Sequence, residues 1–236
     1  YEIDDLNDLD NANVVFSKPK NKFEVLSKRY GGYWRFDNII DFCYLVNPYF
    51  PPKKMKNEIH YSLDKLIQSY PSREITQALL AGQLFNVSPK NIVVGNGAAE
   101  LISILTSSLN MKLAIFSPTF EEYTARFANT ETHTPVDKGF RYNKRDVIRI
   151  ASTADGVILI NPDNPSGNFI PYKDIISILN TLKKENKFLI LDESFLDFAD
   201  NGFKSSTINS QNLEKYENLI IIKSIGKSYG IGGLRL

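Results

Sequence analysis

Val157-Ile158-Leu159-Ile160-Asn161-Pro162-Asp163-Asn164-Pro165-Ser166-Gly167 runs from an apolar stretch straight into a stiff polar loop. A short apolar run rich in branched side chains reads as a strand buried on both faces. Each proline holds the asparagine before it in an extended conformation, which fixes the direction of the Asn164 amide. The same grammar recurs along the chain. Strands are expected at Ile92–Val94, Lys112–Phe116, Val157–Asn161, Phe188–Asp192 and Leu219–Lys223. Helical patterns stand between them, such as Leu101, Ile102, Leu105 and Leu109, or Ile175, Ile178, Leu179 and Leu182. Strands alternating with helices of this length give a mostly parallel sheet covered on both faces, so the fold class is α/β.

Upstream, Met55, Ile59, Leu63, Leu66 and Ile67 form a helical stripe with Lys53, Lys54 and Lys56 on a solvated face. A second helix follows Pro71-Ser72 and runs to about Asn86. The balance of 28 basic against 27 acidic residues, net +1, gives no electrostatic footprint for nucleic acid. The longest apolar runs fall far short of a membrane span. The single cysteine, Cys43, excludes an internal disulfide and a thiolate metal cage, and with no leader at the start the expectation is a cytoplasmic protein without a metal site. His60 and His133 have no partner at ligand spacing and are expected in solvent.

In a parallel sheet, chemistry gathers beyond the carboxyl ends of the strands. Gly95-Asn96-Gly97-Ala98-Ala99-Glu100 follows the first run. It reads either as an anion site on free helix N–H groups, with Asn96 as the cap, or as an ordinary glycine turn. Asp192 closes a wholly apolar strand, and a carboxylate there needs a cationic partner. Lys227 sits in the flexible turn Ser224-Ile225-Gly226-Lys227-Ser228, with Arg235 eight residues on. Gly226-Lys227-Ser228 imitates the end of a nucleotide-hydrolase phosphate loop, but Ile221 stands where that loop requires glycine.

Asn161–Gly167, Asp192–Phe198 and Ser224–Arg235, in this order and each after a strand, resemble the pyridoxal-phosphate-dependent aminotransferases of fold type I. Asn47-Pro48, Ser69-Tyr70-Pro71, Val94–Glu100 and Pro118-Thr119-Phe120 resemble its histidinol-phosphate aminotransferase and threonine-phosphate decarboxylase branch. The resemblance implies the large domain of that fold, cofactor pyridoxal 5'-phosphate, small amino- and keto-acid substrates, and a homodimer with shared sites. Residues 53–236 are then the incomplete large domain, 23–52 the N-terminal segment of the small domain, and the rest of the small domain is expected past residue 236. Lys227 matches the lysine that joins the cofactor as a Schiff base and shuttles the Cα proton. Asp192 matches the acid that keeps the pyridine nitrogen protonated. At about 4 Å and an effective dielectric of about 20, such a pair is worth roughly 4 kcal/mol, or about three pKa units.

By the same resemblance, Asn164 donates to the phenolic oxygen and Phe120 stacks on the ring. The phosphate lies on the N–H groups of Gly97, Ala98 and Ala99, completed by Ser224 and Arg235. Tyr70 reaches the neighbouring subunit's phosphate, and Asn47 belongs to the segment that folds over the substrate. Two positions depart from the pattern. Phe195 replaces a tyrosine, removing a donor to the phenolic oxygen, and Gly226 replaces a hydroxyl residue. The expected activity is amino-group transfer by an aminotransferase; the wording around Phe195 resembles the decarboxylases, as does Tyr30-Gly31-Gly32, which leaves decarboxylation of an O-phospho amino acid as the alternative. A non-catalytic module is a third class, disfavoured by the joint presence of Lys227, Asp192, Asn164 and Arg235. The acidic start, residues 1–22, reads as a solvated helix or as the end of another domain. It resembles the closing segment of a nucleotidyltransferase.

Overall fold

The structure, a computed structural model, describes residues 44–200 and 202–234, with Leu9, Ala12, Asn13, Phe16, Ile40 and Phe42. The chain divides into two compact units, residues 1–45 and 46–236. In the first, Leu9, Ala12 and Asn13 are helical and the Phe16 N–H donates to the Ala12 carbonyl at 3.0 Å. Tyr30-Gly31-Gly32, Cys43 and Arg235 lie outside the described residues.

The second unit begins with helices α1 (Lys53–Gln68), α2 (Glu74–Phe85) and α3 (Ala98–Ser108). Then follow β1 (Leu113–Phe116), α4 (Glu121–Arg126), β2 (Thr130–His133), α5 (Lys144–Ala151), β3 (Gly156–Ile160), α6 (Tyr172–Lys184) and β4 (Phe188–Asp192). Short helices α7 (Gly202–Ser205) and α8 (Ser210–Lys215) lead into β5 (Leu219–Ile222). The five strands form one parallel sheet in the order β2-β1-β3-β4-β5.

Strand periodicity sorts the apolar residues onto two faces. Ala114, Phe116, Val157, Leu159, Leu189 and Leu191 meet Val147 and Ile150 of α5 and Ile175, Ile178, Leu179 and Leu182 of α6. Leu113, Ile115, Ile158, Ile160, Ile190 and Ile222 meet Ile102 of α3, Tyr123 of α4 and Phe127. Both sets are almost fully buried, and each Val, Leu, Ile or Phe side chain among them contributes roughly 1.5–3 kcal/mol. The period of two places Asp192 on the same face as Ile190, under α4. The register sets it between Ile160 and Ile222.

Three expectations need correction here. Ile92–Val94 is not a strand: Val93 is 74% exposed and no described strand pairs with the run. Branched residues favour extended backbone, but a ladder requires a neighbour. The helix expected from the α1 stripe is present, and it buries no residue. His133 is on β2, partly covered, with Nε2 3.1 Å from Glu131 Oε1, rather than in solvent. Asn96 does not cap α3: its N-cap is Gly97, at φ +82, without a side-chain bond. Among the described residues, no helix is long and apolar enough to cross a membrane.

Candidate active site

Asp192 is 3% exposed at the end of β4, and both its oxygens are held. The Ser194 N–H donates to Oδ1 at 2.8 Å, and the Tyr123 hydroxyl donates to Oδ2 at 2.7 Å. Burial, then the charge and hydrogen bond of Asp192, hold the Tyr123 phenol well above its usual range, so it stays a donor. Tyr123 was not legible as a site residue in the sequence: an aromatic at a helical core position signals packing. Its partner is decided by the strand order.

Lys227 lies in the turn after β5 with Nζ 4.2 Å from the Phe195 ring centroid and 5.7 Å from that of Phe120. Burial lowers its pKa, and the negative charge of Asp192 partly opposes that shift. The amine and the acid from neighbouring strand ends therefore act on each other across one site, walled by Phe120 and Phe195. Phe120, half-buried, also packs edge-on against Tyr123, with centroids 6.2 Å apart.

The turns that carry these groups are bolted together. The Glu193 N–H donates to the Ile222 carbonyl at 2.8 Å, and the Ser224 N–H to Ser194 Oγ at 2.9 Å. Lys223 Nζ pairs with Asp197 Oδ1 at 2.8 Å, and both side chains are less than a tenth exposed. Buried Glu193 accepts from Ser206 Oγ, Thr207 N–H and Thr207 Oγ1 at 2.6–2.8 Å.

Asn47 is placed on the lysine turn. Its N–H donates to the Lys227 carbonyl at 2.8 Å and its amide to the Ser228 carbonyl at 2.9 Å. Phe50 meets Tyr229 edge-on at 5.3 Å. Gly230 has φ +59, and a Cβ there would fall onto the carbonyls of Phe50 and Asn47. Only glycine lets the two segments approach this closely.

The loop after β3 is closed on itself. The Asn161 amide donates to the Ile170 carbonyl at 2.9 Å and accepts from its N–H at 2.8 Å. Ser166 donates to buried Asp163, whose pKa is raised by burial. Asn164, half-buried at the crest, has no side-chain hydrogen bond among the described residues, which leaves its amide available. At the start of α3 the expectation for Gly97 needs correction: its N–H donates to the Gly95 carbonyl at 2.9 Å, because the tight turn before the helix closes on itself, so of the three expected phosphate donors Ala98 and Ala99 remain, beside the open space next to Gly97. The Glu100 carboxylate takes the Asn96 N–H. Tyr70 is fully exposed.

Residues 37–236 match the family model described as aminotransferase class I and II. The chain belongs to this family. Pyridoxal 5'-phosphate is the cofactor that goes with membership of it. This aminotransferase-family chain is 31% identical over 240 residues to a CMP-5'-(3-aminopropyl)phosphonate synthase of Streptomyces rubellomurinus, covering all of itself and 37% of that protein. It is 33% identical over 211 residues to an L-serine phosphate decarboxylase of Campylobacter jejuni, covering 84% of itself and 54% of that protein. The histidinol-phosphate aminotransferase of Clostridium acetobutylicum superposes with a TM-score of 0.67 at 26% identity, covering 84% of this chain and 59% of that one. The chain thus spans only part of the length of these relatives.

Proposed function

We propose that this chain is the cofactor-binding part of a pyridoxal-phosphate enzyme acting at the Cα of a phosphorus-bearing amino acid, most economically as a decarboxylase. The observation that carries the reading is the convergence of Lys227, its amine made less basic by burial, with buried Asp192, whose two oxygens are already oriented. The donor set suits the group: an acid for the ring nitrogen, Phe120 as an aromatic wall, a free Asn164 amide for the phenolic oxygen. Ala98 and Ala99 leave the helix N–H groups open to the phosphate. Ser224, and Arg235 beyond the described residues, would complete that cup. When bound, the cofactor supplies a sink for the electron pair left at Cα. Lys227 then moves the proton: onto Cα after a carboxylate leaves, or off Cα in amino-group transfer.

Decarboxylation is favoured by Phe195 and by the name of one relative, an L-serine phosphate decarboxylase, while the name of the aminopropylphosphonate synthase supports only a phosphorus-bearing amino substrate. Amino-group transfer is the second reading, supported by the family description and the histidinol-phosphate aminotransferase likeness. The likeness to the longer Streptomyces synthase also supports the reading of residues 1–22 as the end of a nucleotidyltransferase domain, with 23–52 as the N-terminal segment of the small domain and 53–236 as the large domain. Exposed Tyr61, Ile67 and Tyr70 support a homodimer, with Tyr70 completing the partner's site and Asn47 holding the segment over the substrate.

The test is to incubate the complete protein with O-phosphoserine and with amino acids bearing a phosphonate, with and without a keto acid. Carbon dioxide and an amine formed without keto acid support decarboxylation. Keto-acid-dependent formation of a new amino acid without carbon dioxide supports transfer.

A further inference from the structure

We infer that Tyr123 is a positioning residue for cofactor recognition: with the Ser194 N–H it fixes the plane of the Asp192 carboxylate toward the ring nitrogen. This rests on the reading of Asp192 given above. Asp192 could turn about its terminal torsion, which is broad for a carboxylate. Two donors stop it. Ser194 N–H is fixed by the turn after β4 and holds Oδ1 at 2.8 Å. Tyr123, fully buried on α4, holds Oδ2 at 2.7 Å. The two donors come from opposite sides in sequence, 69 residues apart in the case of Tyr123, so neither can follow a rotation of the acid without moving the core. Each oxygen keeps a second lone pair, so the ring nitrogen can still be met.

The phenol is suited to this work because it does not ionise near neutrality, and a charged phenolate would repel the acid. Its own ring is held by Phe120, the residue expected to stack on the cofactor. The wall, at the N-cap of α4, and the support of the acid, inside α4, are therefore three residues apart.

The experiment compares the affinity of the complete protein for pyridoxamine 5'-phosphate and for the analogue with carbon in place of the ring nitrogen, by fluorescence quenching. The wild type should prefer the nitrogen compound. In Tyr123→Phe the gap should shrink by roughly five- to tenfold, because a charge-assisted hydrogen bond is lost, with the circular dichroism spectrum unchanged. Tyr123→His, which keeps an N–H donor, should recover part of the gap. Mere space filling predicts the opposite order, since phenylalanine fits the site better than histidine. A gap equal in wild type and Tyr123→Phe, or smaller in Tyr123→His than in Tyr123→Phe, overturns the inference while leaving the role of Asp192 standing. No gap in the wild type overturns the role of Asp192 itself.

Discussion

The ammonium of Lys227 rests against the face of Phe195, 4.2 Å from the ring centroid, at the position where the motif elsewhere supplies a tyrosine. A cation over an aromatic face gains about 0.5–2 kcal/mol, more as water is excluded. Burial lowers the pKa and the charge of Asp192 opposes that shift, and the ring contact adds to the support of the charged form. Phe195→Leu removes the support and should lower the lysine pKa further. Trapping the amine of the cofactor-free protein with a small aldehyde and borohydride across pH 7–11 should show the inflection moving down, and an unchanged or raised inflection contradicts the contact.

The same lowering links to stability. The unfolded lysine binds its proton up to its ordinary value, about 10.4, whereas the folded one releases it earlier. Between the two values the unfolded state holds more protons, so this group makes stability rise with pH across that window. In urea titrations through the window, Lys227→Met should lack the rise that wild type shows.

Asp192→Ala leaves the Tyr123 hydroxyl buried without its acceptor, whereas Asp192→Asn keeps an oxygen for it. The alanine variant should therefore be less stable by about 1–3 kcal/mol than the asparagine variant in chemical denaturation. Both should lose cofactor on dialysis.

Lys223 and Asp197 join the turn after β5 to the turn after β4. Lys223→Met strands the Asp197 charge and should cost about 3–5 kcal/mol, while Lys223→Met with Asp197→Leu should recover most of it. Equal stability of the single and double variants would show that the charge is not stranded.

Leu63 and Ile67 are one turn apart on α1 and both exposed. Exposed apolar residues on one helix face are what a subunit interface covers. In the proposed homodimer of the complete protein this face meets the second copy, so sedimentation of the double variant, Leu63→Asp with Ile67→Asp, should show the molecular mass falling by half, and an unchanged mass contradicts that interface.

The alternation of apolar runs and helical stripes determined the parallel sheet and put Asp192, Asn164 and the lysine turn at strand ends, because burial on both faces and the rule of carboxyl ends are properties of local pattern. The polar edge strand β2 escaped that reading, as Thr130–His133 bears no apolar signal. Ile92–Val94 misled it, since a ladder depends on a neighbour that pattern does not name. Only the tertiary structure decided that Tyr123 meets Asp192 and that Lys223 meets Asp197. It also decided that the Asn47 amide grips the lysine turn. Such pairings join residues far apart in sequence, and their geometry follows from strand order and helix placement rather than from any local preference.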